Sequence, residues 1–161
     1  MKRLSREQYT TVLDPSLPAA ITIASGEALV VETWDAYKGV WGADQEPPVV
    51  GAATGPIAVE GAHPGDALCI DIVTIIPATA AMHDVRPGRG FLGETFTERR
   101  PTIMPIRDGH LVFPGDIRIP LRPSIGLIAT TPTVIQTTAS DSGPYGGDLD
   151  MQELVAGSTL W

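Results

Sequence analysis

The chain has 161 residues and a net charge of −8, and its 43% hydrophobic residues stand beside 17 glycines and 15 prolines. That length fits one domain, residues 1–161, burying roughly 70% of the surface its unfolded chain exposes; the apolar content excludes disorder, and the glycine and proline content fits many short strands joined by turns. Eleven scattered Lys and Arg against nineteen Asp and Glu exclude nucleic acid as a partner, since phosphate binding needs a concentrated positive field.

Residues 1–6 lead into polar sequence rather than an apolar signal core, and no run reaches the roughly 20 apolar residues of a membrane span. A cytoplasmic protein with no membrane partner is therefore expected. A short helix is expected over residues 6–12. Residues 20–24 and 28–33 are β-rich runs split by Ser25-Gly26. Residues 57–60 are expected to pair with residues 67–75 in a hairpin across the Pro64-Gly65-Asp66 turn. The lone cysteine, Cys69, sits in an apolar run and is expected to be a buried thiol without a disulfide. A second Pro-Gly-Asp at residues 114–116 separates Leu111-Val112-Phe113 from Ile117-Arg118-Ile119, and residues 125–130 and 133–138 add further strands. A second short helix is expected over residues 151–155. Residues 36–53 and 77–110, rich in Gly, Pro and charge, are expected to be long loops where functional groups gather. The fold class is mainly β: an antiparallel sandwich or barrel-like domain with one or two short helices.

The stretch Gly143-Pro144-Tyr145-Gly146-Gly147-Asp148-Leu149-Asp150 concentrates the chemistry. Its glycines permit a positive φ or the close approach of a backbone or a ligand. Asp148 and Asp150 are two residues apart, so in an extended chain both carboxylates face one side, where they could hold a cation. Turn chemistry explains the same residues without a site. Asp35 ends an apolar strand before a loop holding Tyr37, Trp41 and Asp44; it is either a site acid or a turn-initiating Asp bonded to its own backbone. Glu94 follows the flexible run Gly88-Arg89-Gly90-Phe91-Leu92-Gly93 and is either a carboxylate delivered to a site or a surface residue. His83 and Asp84 are adjacent and point apart in a strand, leaving His83 as a lone ligand or base. His63 and His110 read as solvated.

These residues carry a resemblance. The run Ser140-Asp141-Ser142-Gly143-Pro144-Tyr145-Gly146-Gly147-Asp148-Leu149-Asp150, with Gly157-Ser158-Thr159-Leu160 after it, resembles the acetamidase/formamidase family. Glu32-Thr33-Trp34-Asp35-Ala36, Thr54-Gly55-Pro56-Ile57-Ala58-Val59-Glu60-Gly61-Ala62, Pro64-Gly65-Asp66-Ala67-Leu68 and Pro123-Ser124-Ile125-Gly126-Leu127-Ile128 match in the same order. Tyr145 stands where the family has His, and Asp148 where it has Asn. Family members are about twice as long, and their second half carries an Asp-x-His and an acidic Gly-Asp-Gly-Glu segment absent here. The length leaves three readings: a site completed by a separate chain, a free-standing relative, or a piece of a longer protein.

The resemblance implies metal-assisted hydrolysis of short linear amides, formamide or acetamide in type, with release of ammonia. The expected assignment is Asp35 and Glu94 as catalytic residues, Tyr145, Gly146 and Gly147 against the substrate, and Asp148, Asp150 and His83 on a divalent metal, zinc being one candidate and the choice of metal left open. The expected partner is a second subunit supplying the missing half, in a homo- or hetero-oligomer. A covalent route through Ser140 or Ser142 lacks a Gly-x-Ser-x-Gly elbow and a nearby lysine, the only lysines being Lys2 and Lys38. The competing class is a non-catalytic β-domain for binding or oligomer assembly.

Overall fold

Turns at short intervals keep most of the described strands to two to four residues. The structure is a computed structural model, and it describes residues 1–42 and 50–161; Asp44, noted above, lies outside the described residues. The strands in chain order are β1 (Lys2–Leu4), β2 (Tyr9–Thr10), β3 (Ile21–Ile23), β4 (Leu29–Val31), β5 (Ala53–Thr54), β6 (Ile57–Val59), β7 (Ile70–Asp71), β8 (Ala80–Val85), β9 (Arg100–Arg107), β10 (His110–Phe113), β11 (Ile117–Pro120), β12 (Leu127–Ala129), β13 (Ser142–Gly143), β14 (Gly146–Asp148) and β15 (Thr159–Leu160). The mainly β class is as expected. The strands form several small sheets, of which β11-β10-β9-β8 and β12-β14-β13 are the larger, and two pairs, β1-β4 and β3-β6, run parallel.

Local turn chemistry gives the β10-β11 hairpin, with Phe113 opposite Ile117 across Pro114-Gly115-Asp116. Non-local pairing overrides the other expected hairpin. The edge of β6 is taken by β3, with Ile57 opposite Ile21 and Glu60 N donating to Ile23 O at 2.8 Å, while β7 pairs antiparallel with β15. The turn between them closes on itself, His63 N donating to Asp66 Oδ2 at 2.7 Å.

Residues 77–110, expected as loop, contain the two longest strands. Pro101 and Pro105 read as loop punctuation, yet both fit β9. Ile106 N donates toward β8, to Thr79 O at 2.9 Å, so the even positions of β9 face β8, and the prolines occupy odd positions where a missing N–H leaves that ladder intact.

Neither expected helix forms. Residues 6–12 instead give β2, paired with β5 through Tyr9 opposite Thr54. Residues 151–155 make only a turn, Leu154 N donating to Met151 O at 3.1 Å; a segment this short lacks the length to stabilise a helical nucleus. Residues 133–138 form no strand, only an isolated bridge from Gln136 to Leu13. The one helical element among the described residues is a 3-10 turn, Gly93–Thr95.

Leu4, Ile72, Met104, Ala139 and Leu154 form the buried core. Cys69 is exposed rather than buried. Alternation along its strand turns Ile70 and Ile72 inward and Cys69, Asp71 and Val73 outward. No helix among the described residues is long and apolar enough to cross a membrane.

Candidate functional site

The two-residue turn Pro144-Tyr145 joins β13 to β14, setting Gly143 opposite Gly146 and Ser142 opposite Gly147. On its other side β14 pairs with β12, placing Asp148 opposite Leu127. The chain is pressed between two backbones there. A Cβ on Gly146 would collide with Ile128 O, and one on Gly147, at φ +115°, would collide with Asp141 O. These glycines let three strands close up. Tyr145 lays its ring over Gly143, where an added Cβ would lie 2.6 Å from the ring, and its carbonyl accepts Thr130 N at 2.8 Å. Its hydroxyl donates to Gln136 Oε1 at 3.4 Å.

The same sheet aims the two carboxylates. Gly126 O accepts Leu149 N at 2.9 Å and Asp150 N at 3.2 Å, bending the chain after β14. Asp150 takes φ +47°. Both acids then lie over Gly126: a Cβ at that position would stand 2.8 Å from Asp150 Oδ1 and 3.5 Å from Asp148 Oδ1. Glycine at 126 therefore makes the space in which the acids converge. Asp148 is half-buried and Asp150 exposed. Burial raises the Asp148 carboxyl above the usual carboxylate value, and the negative charge of Asp150 raises it further.

Asp35, Glu94 and His83 do not join this pair. Among the described residues no three His, Cys, Asp or Glu side chains come together as a metal-holding group. Asp35 Oδ1 accepts Tyr37 N at 2.8 Å and Oδ2 accepts Gly39 N at 2.9 Å, so its carboxylate holds a turn. Glu94 is exposed on a loop tied by Gly88 N donating to Gly93 O at 3.0 Å. His83, opposite Thr102 on β8, is also exposed. As a cation site the residues present are a partial fit: two converging carboxylates, hard oxygen donors with mutual repulsion to relieve, but not a full ligand shell.

A second polar cluster escaped the sequence reading. The Asp84 side chain, 1% exposed, accepts Arg86 Nε at 2.6 Å and Arg99 Nε at 2.9 Å. Arg86 and Arg99 also stack over Tyr37, 4.9 and 6.0 Å from its ring centre. Burial pushes the Asp84 carboxyl upward, but bonds and charge from the two guanidiniums outweigh it and hold the group below the usual range. The spacing of Asp84 and Arg86, two apart at the end of β8, was an available signal; Arg99 comes from a distant segment and left none. Beside this cluster Lys38 donates to Tyr9 Oη at 2.7 Å, and Arg6 lies 3.9 Å over Trp34. Surface depressions of about 340 Å³ form around Val59–Ala62 and around Tyr9 with Pro56, and neither is lined by the candidate acids.

The Acetamidase/Formamidase family model matches residues 5–139. No curated protein matches the chain. Among solved structures the chain is similar to an acetamidase from Bacillus halodurans, with 32% identity and a TM-score of 0.92 over 98% of this chain and 55% of that one. It is similar to a predicted acetamidase/formamidase from the thermophile Thermoanaerobacter tengcongensis, with 28% identity and a TM-score of 0.91 over the same shares. A gamma lactamase from Delftia acidovorans shares the fold, with a TM-score of 0.83 at 18% identity. The chain thus spans about half the length of these relatives.

Proposed function

The chain belongs to the acetamidase/formamidase family, and on that premise we propose that it supplies one half of an amide-hydrolysing site, acting on short linear amides of the formamide or acetamide type and releasing ammonia. The observation that carries the reading is the convergence of Asp148 and Asp150 over Gly126 within a fold matched over 98% of the chain by an acetamidase.

An unstrained amide resists water at neutral pH, so its hydrolysis needs an activated nucleophile and stabilisation of the charge that develops on the carbonyl oxygen. The half-buried Asp148 and the exposed Asp150 converge in one place, and burial together with the Asp150 charge raises the Asp148 carboxyl above its usual value, the mark of a pair whose repulsion a bound cation relieves. A divalent cation held by Asp148 and Asp150 would supply Lewis-acid chemistry and relieve their repulsion. Carboxylates alone suit a hard cation, and zinc follows if the completing polypeptide brings imidazole. In this reading Asp35 positions the turn that carries Tyr37 and Lys38, while Glu94 and His83 stand apart from the acid pair.

The remaining ligands and the walls of the substrate cavity come, in this proposal, from a second polypeptide corresponding to the rest of the relatives' length. The support is that neither depression described above is lined by the acids, and that the chain covers only 55% of each relative quoted at 28% identity or above. The test is ammonia release from formamide and acetamide by the assembled protein, before and after chelation. Release that chelation abolishes and added cation restores is the expected outcome; no release from either amide overturns the assignment.

A further inference from the structure

We propose that the loop between β8 and β9 is a docking knob, and that two copies of this chain pair by each seating its Phe91 and Leu92 in the other's depression beside Tyr9 and Pro56. The loop is built to hold its shape. Gly88 N donates to Gly93 O at 3.0 Å and Gly93 N to Gly90 O at 3.3 Å, which closes the loop at a neck. The neck is backbone against backbone: a Cβ on Gly93 would stand 2.8 Å from the carbonyl carbon of Gly88. Gly88 and Gly90, at φ +69° and +71°, make turns that would strain an L side chain. Leu92 O accepts Thr95 N at 2.9 Å and fixes the far side. Held by these bonds, the backbone carries Phe91 and Leu92 away from the chain's own surface, Phe91 at 103% exposure and Leu92 at 60%. An aromatic anchor on a backbone already in place loses little conformational entropy on docking, which is the character of an interface hot spot.

The depression beside Tyr9 and Pro56 matches the knob in shape and in charge. It encloses about 340 Å³, and Leu17, Pro18 and Ala19 add to its apolar wall. Glu7 is the one charged residue lining it, and Arg89 is the one charged residue between Gly88 and Gly93. Neither side chain has an ion-pair partner among the described residues. One cation on the knob and one anion at the depression select a register for docking. The two surfaces are also linked within the chain. Arg86, at the root of the loop, stacks over Tyr37 at 4.9 Å, and the next residue, Lys38, donates to Tyr9 Oη at 2.7 Å. A two-fold axis between them lets each copy give its knob and receive the other's, closing the assembly as a dimer rather than an open chain. The charge of −8 on each copy opposes association, but at physiological salt it is screened beyond about 8 Å, whereas an Arg89–Glu7 contact acts within that range.

Pairing of this kind needs no amide, so it is tested apart from hydrolysis. Sedimentation velocity over a concentration series gives the dimer Kd of the purified chain and of Phe91→Ser, Arg89→Glu, Glu7→Arg and the Glu7→Arg/Arg89→Glu double variant. The parent is expected to dimerise, and Phe91→Ser to weaken the dimer at least tenfold with circular dichroism unchanged, because the side chain touches nothing in its own copy that the fold needs. Arg89→Glu and Glu7→Arg each weaken the dimer, and the double variant, with the charges exchanged, regains at least tenfold over either, which a loss of fold cannot imitate. A chain that is monomeric at every concentration, a dimer indifferent to Phe91→Ser, or a double variant no tighter than the single ones overturns the proposal.

Discussion

Substituting Gly147 by Ala separates a packing glycine from a ligand-facing one. At φ +115° the residue lies where L side chains are strained, and the new Cβ would collide with Asp141 O and stand 2.8 Å from Ser142 Cα. Carbon atoms in contact settle at about 3.5–4.0 Å, so β13 must retreat by roughly 1 Å. That retreat breaks the pairing of Ser142 with Gly147. Backbone strain of about 1–3 kcal/mol and overpacking of similar size together put the cost near 4 kcal/mol, a large part of the stability of a typical domain. For a chain of this length each kcal/mol lowers Tm by about 2–4 °C, so the variant should melt about 10 °C below the parent. The assay is thermal unfolding followed by circular dichroism at fixed protein concentration. A Tm within 2 °C of the parent, with amide turnover lost, would refute the packing argument and return Gly147 to the substrate.

Asp84→Ala removes the shared partner of two guanidiniums and should cost about 3–5 kcal/mol in urea unfolding. Because the folded-state pKa of Asp84 is depressed, its contribution is present above the unfolded value of 3.8 and is lost as pH falls through the folded one, so the variant should show a flatter acid limb. Asp148 has the opposite sign: its folded pKa is raised, so its charge destabilises the fold above that pKa and has no effect below 3.8. Asp148→Asn should therefore raise Tm at pH 7 without cation, with the gain vanishing on acidification, and the variant should lose the stabilisation that added cation gives the parent. Asp35→Ala gives up the bonds to Tyr37 N and Gly39 N and should cost about 1–2 kcal/mol in a thermal melt; turnover lost with stability unchanged would instead put Asp35 in the chemistry.

What the sequence discloses follows the range of the interactions. The β10-β11 hairpin was legible because Pro114-Gly115-Asp116 and its flanking apolar residues are contiguous. The partners of β6 and β7 were not, since β3 and β15 lie far off in sequence and nothing local selects them. Proline misled at β9, where its effect depends on which side of the strand its nitrogen faces. The spacing of Asp148 and Asp150 put both acids on one side of an extended chain, whereas in the structure they meet through a bend with Asp150 at φ +47°, and the residue that makes room for them, Gly126, lies just before β12. Gly146 and Gly147 were visible as places of close approach; that the approaching group is protein backbone needed the sheet. The Asp84 cluster draws on three segments and was legible only in its Asp84-Arg86 part.

The most direct test of the central claim is ammonia release from formamide and acetamide by the assembled protein carrying Asp150→Asn. Asn accepts the left-handed backbone that Asp150 adopts at φ +47°, so the fold should persist while the carboxylate is lost. The acid-pair account predicts turnover reduced at least a hundredfold with Tm held within a few degrees. Turnover equal to the parent's would contradict it and remove Asp148 and Asp150 from the reaction.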